Sequence, residues 1–265
     1  MSIDLTAFKA LSFDIYATLI DWELDIYQNL LPLLARVPAS HPQHNAPAAA
    51  QRVFLLSSFV ALELEIQAAS PKMRYSDVLT NIYARLAADL GVPSAAEEER
   101  AFGASVGSWP PFPDTVAAMQ VLSKYYKLVV LSNVDGDSFS RTLAGPLNGV
   151  NFDAIYTAEE IGSYKPNLAN FEYLISHIKA DLGAEKSEIL HVAQSLTHDH
   201  VPAKSIGLAP GVWIERGGAG TETVMGGKAE ELEAEGKIFL GATFTTLGEF
   251  ADEVERQWAG KKLDK

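Results

Sequence analysis

Cysteine is absent from the 265 residues, which removes disulfide frameworks, thiolate nucleophiles and cysteine-bound zinc at one stroke. Basic residues are scarce: 21 Lys and Arg stand against 34 Asp and Glu, a net charge of −13. Such a surface opposes attraction to nucleic acid or to an anionic bilayer, so neither is expected as a partner. Long apolar runs are also missing, since no stretch reaches the roughly 18 to 20 residues that span a membrane. Met1-Ser2-Ile3-Asp4 carries no basic segment with an apolar run behind it, as a secretory leader would, and a cytoplasmic protein is the expectation. Internal repeats and low-complexity tracts are lacking too. What remains is a chain with 48% hydrophobic residues, ample for a packed core of one large or two ordinary domains.

Near the N-terminus a short apolar run, Ala10 to Phe13, stops at Asp14 and is followed by Ile15-Tyr16-Ala17-Thr18-Leu19. In an open α/β sheet a buried strand delivers its C-terminal residue to the ligand crevice, so Asp14 would stand at the mouth of a site as a nucleophile, or else cap the next helix. From Trp22 to about Leu90 the periodicity is helical: Ile26, Leu30, Leu33 and Leu34, then Val53 to Ala68, then Tyr75 to Leu90 with Gly91 as a stop, interrupted by a loop from Pro38 to Pro47. Gly103 to Pro113, rich in Gly and Pro, reads as the return connection. Beyond it short apolar strands alternate with helices, the pattern of a parallel sheet with right-handed crossovers. Expected strands lie at Lys127 to Leu131, Ala154 to Tyr156, Ile189 to Ala193, Pro210 to Ile214 and after Phe239. Helices are expected at Asp114 to Lys124, from Phe139, at Ala169 to Leu182, at Val201 to Ile206 and toward Trp258. Gly217 to Gly236, glycine-rich and acidic, reads as a mobile surface segment.

Polar residues then recur at strand ends: Asp14, then Ser132 with Asn133, then Gln194, Ser195 and Asp199, with Lys165 in the turn Gly162-Ser163-Tyr164-Lys165-Pro166-Asn167. In this order they resemble the four motifs of the haloacid dehalogenase superfamily. The resemblance implies an α/β fold, a Rossmann-like core of residues 1–21 and 110–265 with a helical cap domain of residues 22–109 inserted. Asp14-Ile15-Tyr16-Ala17-Thr18 is similar to the first motif of the type II, L-2-haloacid dehalogenases, aspartate-x-tyrosine-glycine-threonine, with Ala17 in the place of glycine. Phosphatases of the superfamily generally carry an aspartate two residues after the nucleophile and a further acid in the fourth motif. This chain has Tyr16 and Gln194 there. A phenol of ordinary pKa about 10 is a poor acid for a leaving alcohol, and a magnesium site wants carboxylates.

The resemblance implies hydrolytic dehalogenation of a small 2-haloacid. Asp14 would form an aspartyl ester, Lys165 would favour its charged form, and Thr18, with Ser132 and Asn133, would donate to it or to the substrate carboxylate. Asp199 would polarise the hydrolytic water, while Tyr16, Ser132, Asn133, Gln194, Ser195 and His198 would surround a small anionic substrate. No cofactor is implied, magnesium being needed only if the chain is a phosphatase; a non-catalytic binding protein with this fold is the third reading. Two departures stand out. The fourth motif has Leu196 where the family offers a water-holding asparagine, which leaves Gln194, Ser195, His198 or His200 to share that task. The halide-accepting arginine of the cap is also missing, because its equivalent falls near Phe59. Arg52, Arg74 and Arg85 are the nearby basic residues. The apolar helix Val53 to Ala68 could also pair with a second copy of the chain.

Overall fold

A computed structural model describes residues 3–208, 210–217 and 228–263. The apolar runs form a six-stranded, all-parallel sheet of β1 (Ala10–Phe13), β2 (Lys127–Ser132), β3 (Ala154–Thr157), β4 (Ile189–Ala193), β5 (Gly211–Ile214) and β6 (Leu240–Phe244) in the order β3-β2-β1-β4-β5-β6. The chain reverses its direction of travel across the sheet between β1 and β4, and open α/β sheets bind ligands at that switch point. Phe13 sits beside Val130 on one side and Val192 on the other. That register brings the first residues past the strands, Asp14 and Gln194, to the same edge as Ser132.

The residues of the inner strands β1 and β4 are all buried, as a parallel sheet between helix layers requires. Leu11, Phe13, Leu128, Val130, Leu190 and Val192 pack in one cluster with residues of α5 (Thr115–Leu122) and α11 (Leu247–Leu263), among them Met119, Leu122, Phe250 and Val254. The alternate residues Ala10, Val129, Leu131 and Ile189 pack with Phe171 and Leu174 of α8 (Leu168–His177) and Ala203 of α9 (Val201–Ser205). Two further helices complete this half: α6 (Gly136–Ala144) follows β2, and the single turn α7 (Ala158–Ile161) follows β3.

Between β1 and β2 the chain runs only through helices before reaching α5: α1 (Trp22–Leu34), α2 (Ala48–Ala69), α3 (Tyr75–Asp89) and α4 (Ala96–Ser105). The periodic residues Ile26, Leu30, Leu33 and Leu34 are all buried. These helices dock on the sheet half partly through Asp135. Its carboxylate accepts the Ser138 N–H at 2.9 Å, capping α6, and the Ser76 N–H at 3.0 Å, capping α3, so one side chain closes a helix in each half.

Three expectations change. Gly103 lies inside α4 rather than at the start of the return connection, and its role there is close contact. A Cβ there would come 2.1 Å from Thr80 Oγ1 and 2.3 Å from the Ser76 carbonyl, so α4 can lie this close to α3 only because residue 103 has no side chain. The helix expected over Ala169 to Leu182 loosens into a π-type turn at Ile178–Leu182 before Gly183 ends it with φ 67°. Of the surface segment from Gly217 to Gly236, residues 218–227 lie outside the described residues, while Ala229–Ala234 form a short helix, α10. Among the described residues no helix is long and apolar enough to cross a membrane.

Gly103→Ala is expected to destabilise the protein by about 1–3 kcal/mol through overpacking of α3 against α4. A urea midpoint that does not move would show that the two helices separate freely.

Candidate active site

Asp14 leaves β1 and the chain turns at once. Ile15 O accepts the N–H groups of Thr18, Leu19 and Ile20, and Ala17 takes φ 81°, left-handed backbone that disfavours a side chain. The turn folds Thr18 back under the carboxylate. Thr18 Oγ1 donates to Asp14 Oδ2 at 2.7 Å and accepts the Gln194 N–H at 2.9 Å, so β1 and β4 together fix one oxygen of Asp14. Thr18 is fully buried. It positions the carboxylate.

Lys165 reaches in from the loop between α7 and α8. Its Nζ donates to Asp14 Oδ1 at 2.8 Å, to Asp199 Oδ1 at 2.7 Å and to the Leu131 carbonyl at 3.0 Å, which uses all three of its protons. Asn133 holds the base of this lysine: its Nδ2 donates to Lys165 O at 3.0 Å and its Oδ1 accepts the Lys165 N–H at 2.7 Å. The amide expected to bind substrate is thus committed to the loop that carries the cation.

Asp199 lies in a π-type turn, Leu196–His200, directly after β4. Besides Lys165 it meets His191, whose Nε2 is 2.9 Å from Oδ1. Nδ1 of the same ring lies 2.8 Å from Ser12 Oγ. An ionised carboxylate only accepts, so Nε2 of the imidazole is the donor to Asp199. His191 and Ser12 were invisible as site residues in the sequence, being ordinary members of β4 and β1. Their polarity inside two buried strands was the available signal.

Charge in this cluster is shared unequally. Burial raises the Asp14 carboxyl above its usual value; the Lys165 charge opposes this and the Asp199 charge adds to it. Burial also pushes Asp199 upward, but Lys165 and the His191 hydrogen bond outweigh it and hold Asp199 well below the ordinary carboxylate range. Lys165 would be lowered by burial, yet the two carboxylates raise it, so it stays cationic.

The pocket above this cluster is lined by Tyr16, Trp22, Phe59, Glu63 and Tyr75. Ser132, Asn133, Gln194, Ser195 and His198 line it as well. Ser132 Oγ and Asp199 Oδ2 are buried without a hydrogen-bond partner, which leaves a donor and an acceptor open to a ligand or water. Ser195 Oγ accepts the His198 N–H at 3.2 Å and so caps the turn. Burial lowers His198 below its usual value. His200 takes no part: its Nε2 bonds the Ala193 carbonyl at 3.1 Å, and burial lowers the ring to about 4. Leu196 is fully buried and stands outside the pocket lining.

None of the basic residues near the helices enters the pocket. Arg52 pairs with Glu23 at 3.0 Å, Arg85 with Glu65 at 2.8 Å, and Arg74 with Asp137 at 2.6 Å and Glu159 at 3.1 Å. Phe59 lines it. Magnesium, which prefers carboxylate oxygens, fits this donor set poorly. The Tyr16 hydroxyl is 3.0 Å from Thr142 Oγ1, Gln194 is no acid, and Lys165 already occupies an oxygen of each remaining carboxylate. Among the described residues no three His, Cys, Asp or Glu side chains gather as a metal site.

Two outcomes are expected. Lys165→Met leaves Asp14 and Asp199 buried without their counter-charge and is expected to cost about 3–5 kcal/mol in a denaturation measurement at neutral pH. Ala17→Gly releases the left-handed turn and is expected to raise stability by about 0.5–1 kcal/mol, the gain in the fold exceeding the added freedom of the unfolded chain; a lower melting temperature would refute it.

Solved structures share this arrangement of sheet and helices. An L-2-haloacid dehalogenase designated PA0810 superposes with a TM-score of 0.70 at 17% identity, over 93% of this chain and 99% of its own. The L-2-haloacid dehalogenase of Xanthobacter autotrophicus, with chloropropionic acid covalently bound, gives 0.67 at 17% identity over 94% and 98%. A putative hydrolase of the same superfamily from Bacillus subtilis, YfnB, bound to magnesium, gives 0.63 at 16% over 92% and 96%. At these identities the likeness is one of fold. No curated protein sequence matches the chain. Residues 8–207 match the haloacid dehalogenase-like hydrolases, and with three quarters of its length in that match the chain belongs to this hydrolase family.

Proposed function

We propose that this hydrolase cleaves the carbon–halogen bond of a small 2-haloacid through an ester on Asp14, without a metal ion. The observation that carries the proposal is the pairing of a buried, lysine-bound Asp14 with Tyr16 two residues on. The Tyr16 hydroxyl is engaged by Thr142 and burial pushes its pKa far up, so the position offers no proton to a leaving alcohol. Halide leaves as an anion and needs none.

In the first step an Asp14 oxygen attacks the halogen-bearing carbon in line; the carbon–oxygen bond forms as the carbon–halogen bond breaks, and the electron pair departs with the halide. Lys165 keeps Asp14 anionic, and Thr18 holds Oδ2, leaving Oδ1 beside Lys165 to rotate into attack. Ser132 Oγ, without a partner in the protein, supplies a donor for the substrate carboxylate. In the second step water adds to the carbonyl carbon of the ester. Asp199 Oδ2 is the open acceptor in the pocket that can hold this water, in place of the asparagine for which Leu196 stands. The tetrahedral adduct then breaks its bond to the substrate oxygen, which takes one proton of the water and departs as the 2-hydroxyacid, while the second proton passes to solvent and Asp14 returns as its carboxylate. The superfamily relative of Xanthobacter autotrophicus that carries covalently bound chloropropionic acid supports an ester of this kind.

Incubation with 2-chloropropionate or fluoroacetate, followed by peptide mass spectrometry, is expected to show an adduct on Asp14 that accumulates in Asp199→Asn. Asp14→Asn is expected to abolish halide release while leaving the melting temperature within a few degrees, and chelation by EDTA to leave the rate unchanged. Phosphate release from phosphate monoesters with a strict magnesium requirement would refute the proposal.

A further inference from the structure

The inserted helices give the pocket one ionisable carboxyl group. Trp22, Phe59, Gln67 and Tyr75 are apolar or uncharged, and Glu63 lies among them. It stands one helical turn after Phe59 on the same face of α2, beside the position at which a basic residue would be expected to receive a leaving halide. Glu63 is only 6% exposed, and its Oε1 accepts the Tyr75 hydroxyl at 2.6 Å. Among the described residues no cation pairs with it. A carboxyl group buried without a counter-charge favours its neutral form. With Oε1 taken by Tyr75, the carboxyl proton falls to Oε2 of this pocket-lining side chain.

An in-line displacement expels the leaving group on the side of the carbon away from Asp14, and the lining away from the strand ends is that of the inserted helices. Resting on the dehalogenase reading, we propose that Glu63 in its protonated form is the halide acceptor of this site, its Oε2–H donating a hydrogen bond to the departing anion in place of an arginine. The proton stays on Glu63, so the step needs no further reactant. A neutral donor also leaves the pocket without a second negative charge facing an anionic substrate, which an ionised Glu63 would repel.

The linkage gives a sign. Burial raises the Glu63 carboxyl to about 7, against the smaller lowering by the Tyr75 hydrogen bond. The donor is therefore present below pH 7 and lost above it, and halide release should fall about tenfold per pH unit there. The groups around Glu63 do not imitate this limb. Tyr75, Tyr16 and Tyr164 are all raised above their ordinary value by burial and stay neutral. His198 is lowered, Lys165 raised and Asp199 lowered, so none changes charge between pH 7 and 9. Asp14 titrates with the opposite effect, since its ionisation increases the rate.

Single-turnover halide release from 2-chloropropionate, by rapid quench between pH 6 and 9, tests the proposal in wild type, Glu63→Gln and Glu63→Ala. The wild type should lose about tenfold per pH unit above 7. Glu63→Gln keeps a donor that does not ionise, so its alkaline limb should vanish and its rate at pH 9 should exceed that of the wild type. Glu63→Ala should be slow throughout. An alkaline limb that survives in Glu63→Gln, or a Glu63→Ala rate equal to wild type at pH 6, overturns the assignment. If no variant releases halide from this or other 2-haloacids, the dehalogenase reading fails by itself, and chloride line broadening in NMR then decides Glu63. Binding of chloride that weakens about tenfold per pH unit above 7 in wild type and is flat with pH in Glu63→Gln supports it, whereas pH-independent binding in wild type overturns it.

Discussion

The ammonium group of Lys165, held between Asp14 and Asp199 at 2.8 and 2.7 Å, is the interaction on which the rest of the site depends. Two carboxylates this close in a buried crevice repel each other, and neither has water to screen it. One cation with three donated protons, the third on the Leu131 carbonyl, makes the pair tolerable. The neighbours then divide the labour. Thr18 fixes the far oxygen of Asp14, while His191 shares the inner oxygen of Asp199 with the lysine. Each carboxylate is left with a distinct environment, and pairs of acids in distinct environments are what acid, base and nucleophile roles require. Asn133 belongs to the same scheme at one remove, because it ties down the backbone from which Lys165 projects.

The second half of the pocket is built on different terms. The inserted helices bring aromatic surface, with Trp22 and Phe59 rings 5.7 Å apart and Tyr16 edge-on to Trp109 at 5.5 Å, so the pocket above the ionic cluster is largely apolar. A low-dielectric roof strengthens every charge interaction beneath it. Asp135 ties that roof to the sheet half by capping α3 and α6 at once. Arg74 joins the same contact through Asp135, Asp137 and Glu159, a use of arginine that explains why it is absent from the pocket.

The departures at Ala17, Leu196 and position 59 have unequal physical weight. Alanine in left-handed backbone is a local strain that the surrounding turn, anchored at the Ile15 carbonyl, imposes and holds. Leu196 has turned into the core and lies outside the pocket lining, so it obstructs nothing there. Phe59 presents apolar surface on the pocket wall, and Ser132 Oγ on the opposite, strand-end side is a neutral hydroxyl without a protein partner.

The α/β alternation, the strands and the order of the four polar strand ends were legible in the sequence because each is local: an apolar run ending at Asp14, Ser132 or Gln194 states its own boundary. Helix α4 was not, because Gly103 has the same signature in a loop and in a tight helix contact, and only the approach of Ser76 and Thr80 distinguishes them. The polar strand residues His191 and Ser12 meet across the β1–β4 register, a pairing of residues 179 apart that no local pattern encodes. Leu62-Glu63-Leu64-Glu65 alternates apolar and acidic residues, and the packing of α2 against α1 and α3 decided that Glu63 is buried while Glu65 meets Arg85 in solvent. Sequence determined which side chains end the strands, because strand ends follow from local hydrophobic pattern. Tertiary structure decided which of them share a proton, a cation or a pocket, because those couplings act through space over a few ångströms between segments far apart in the chain.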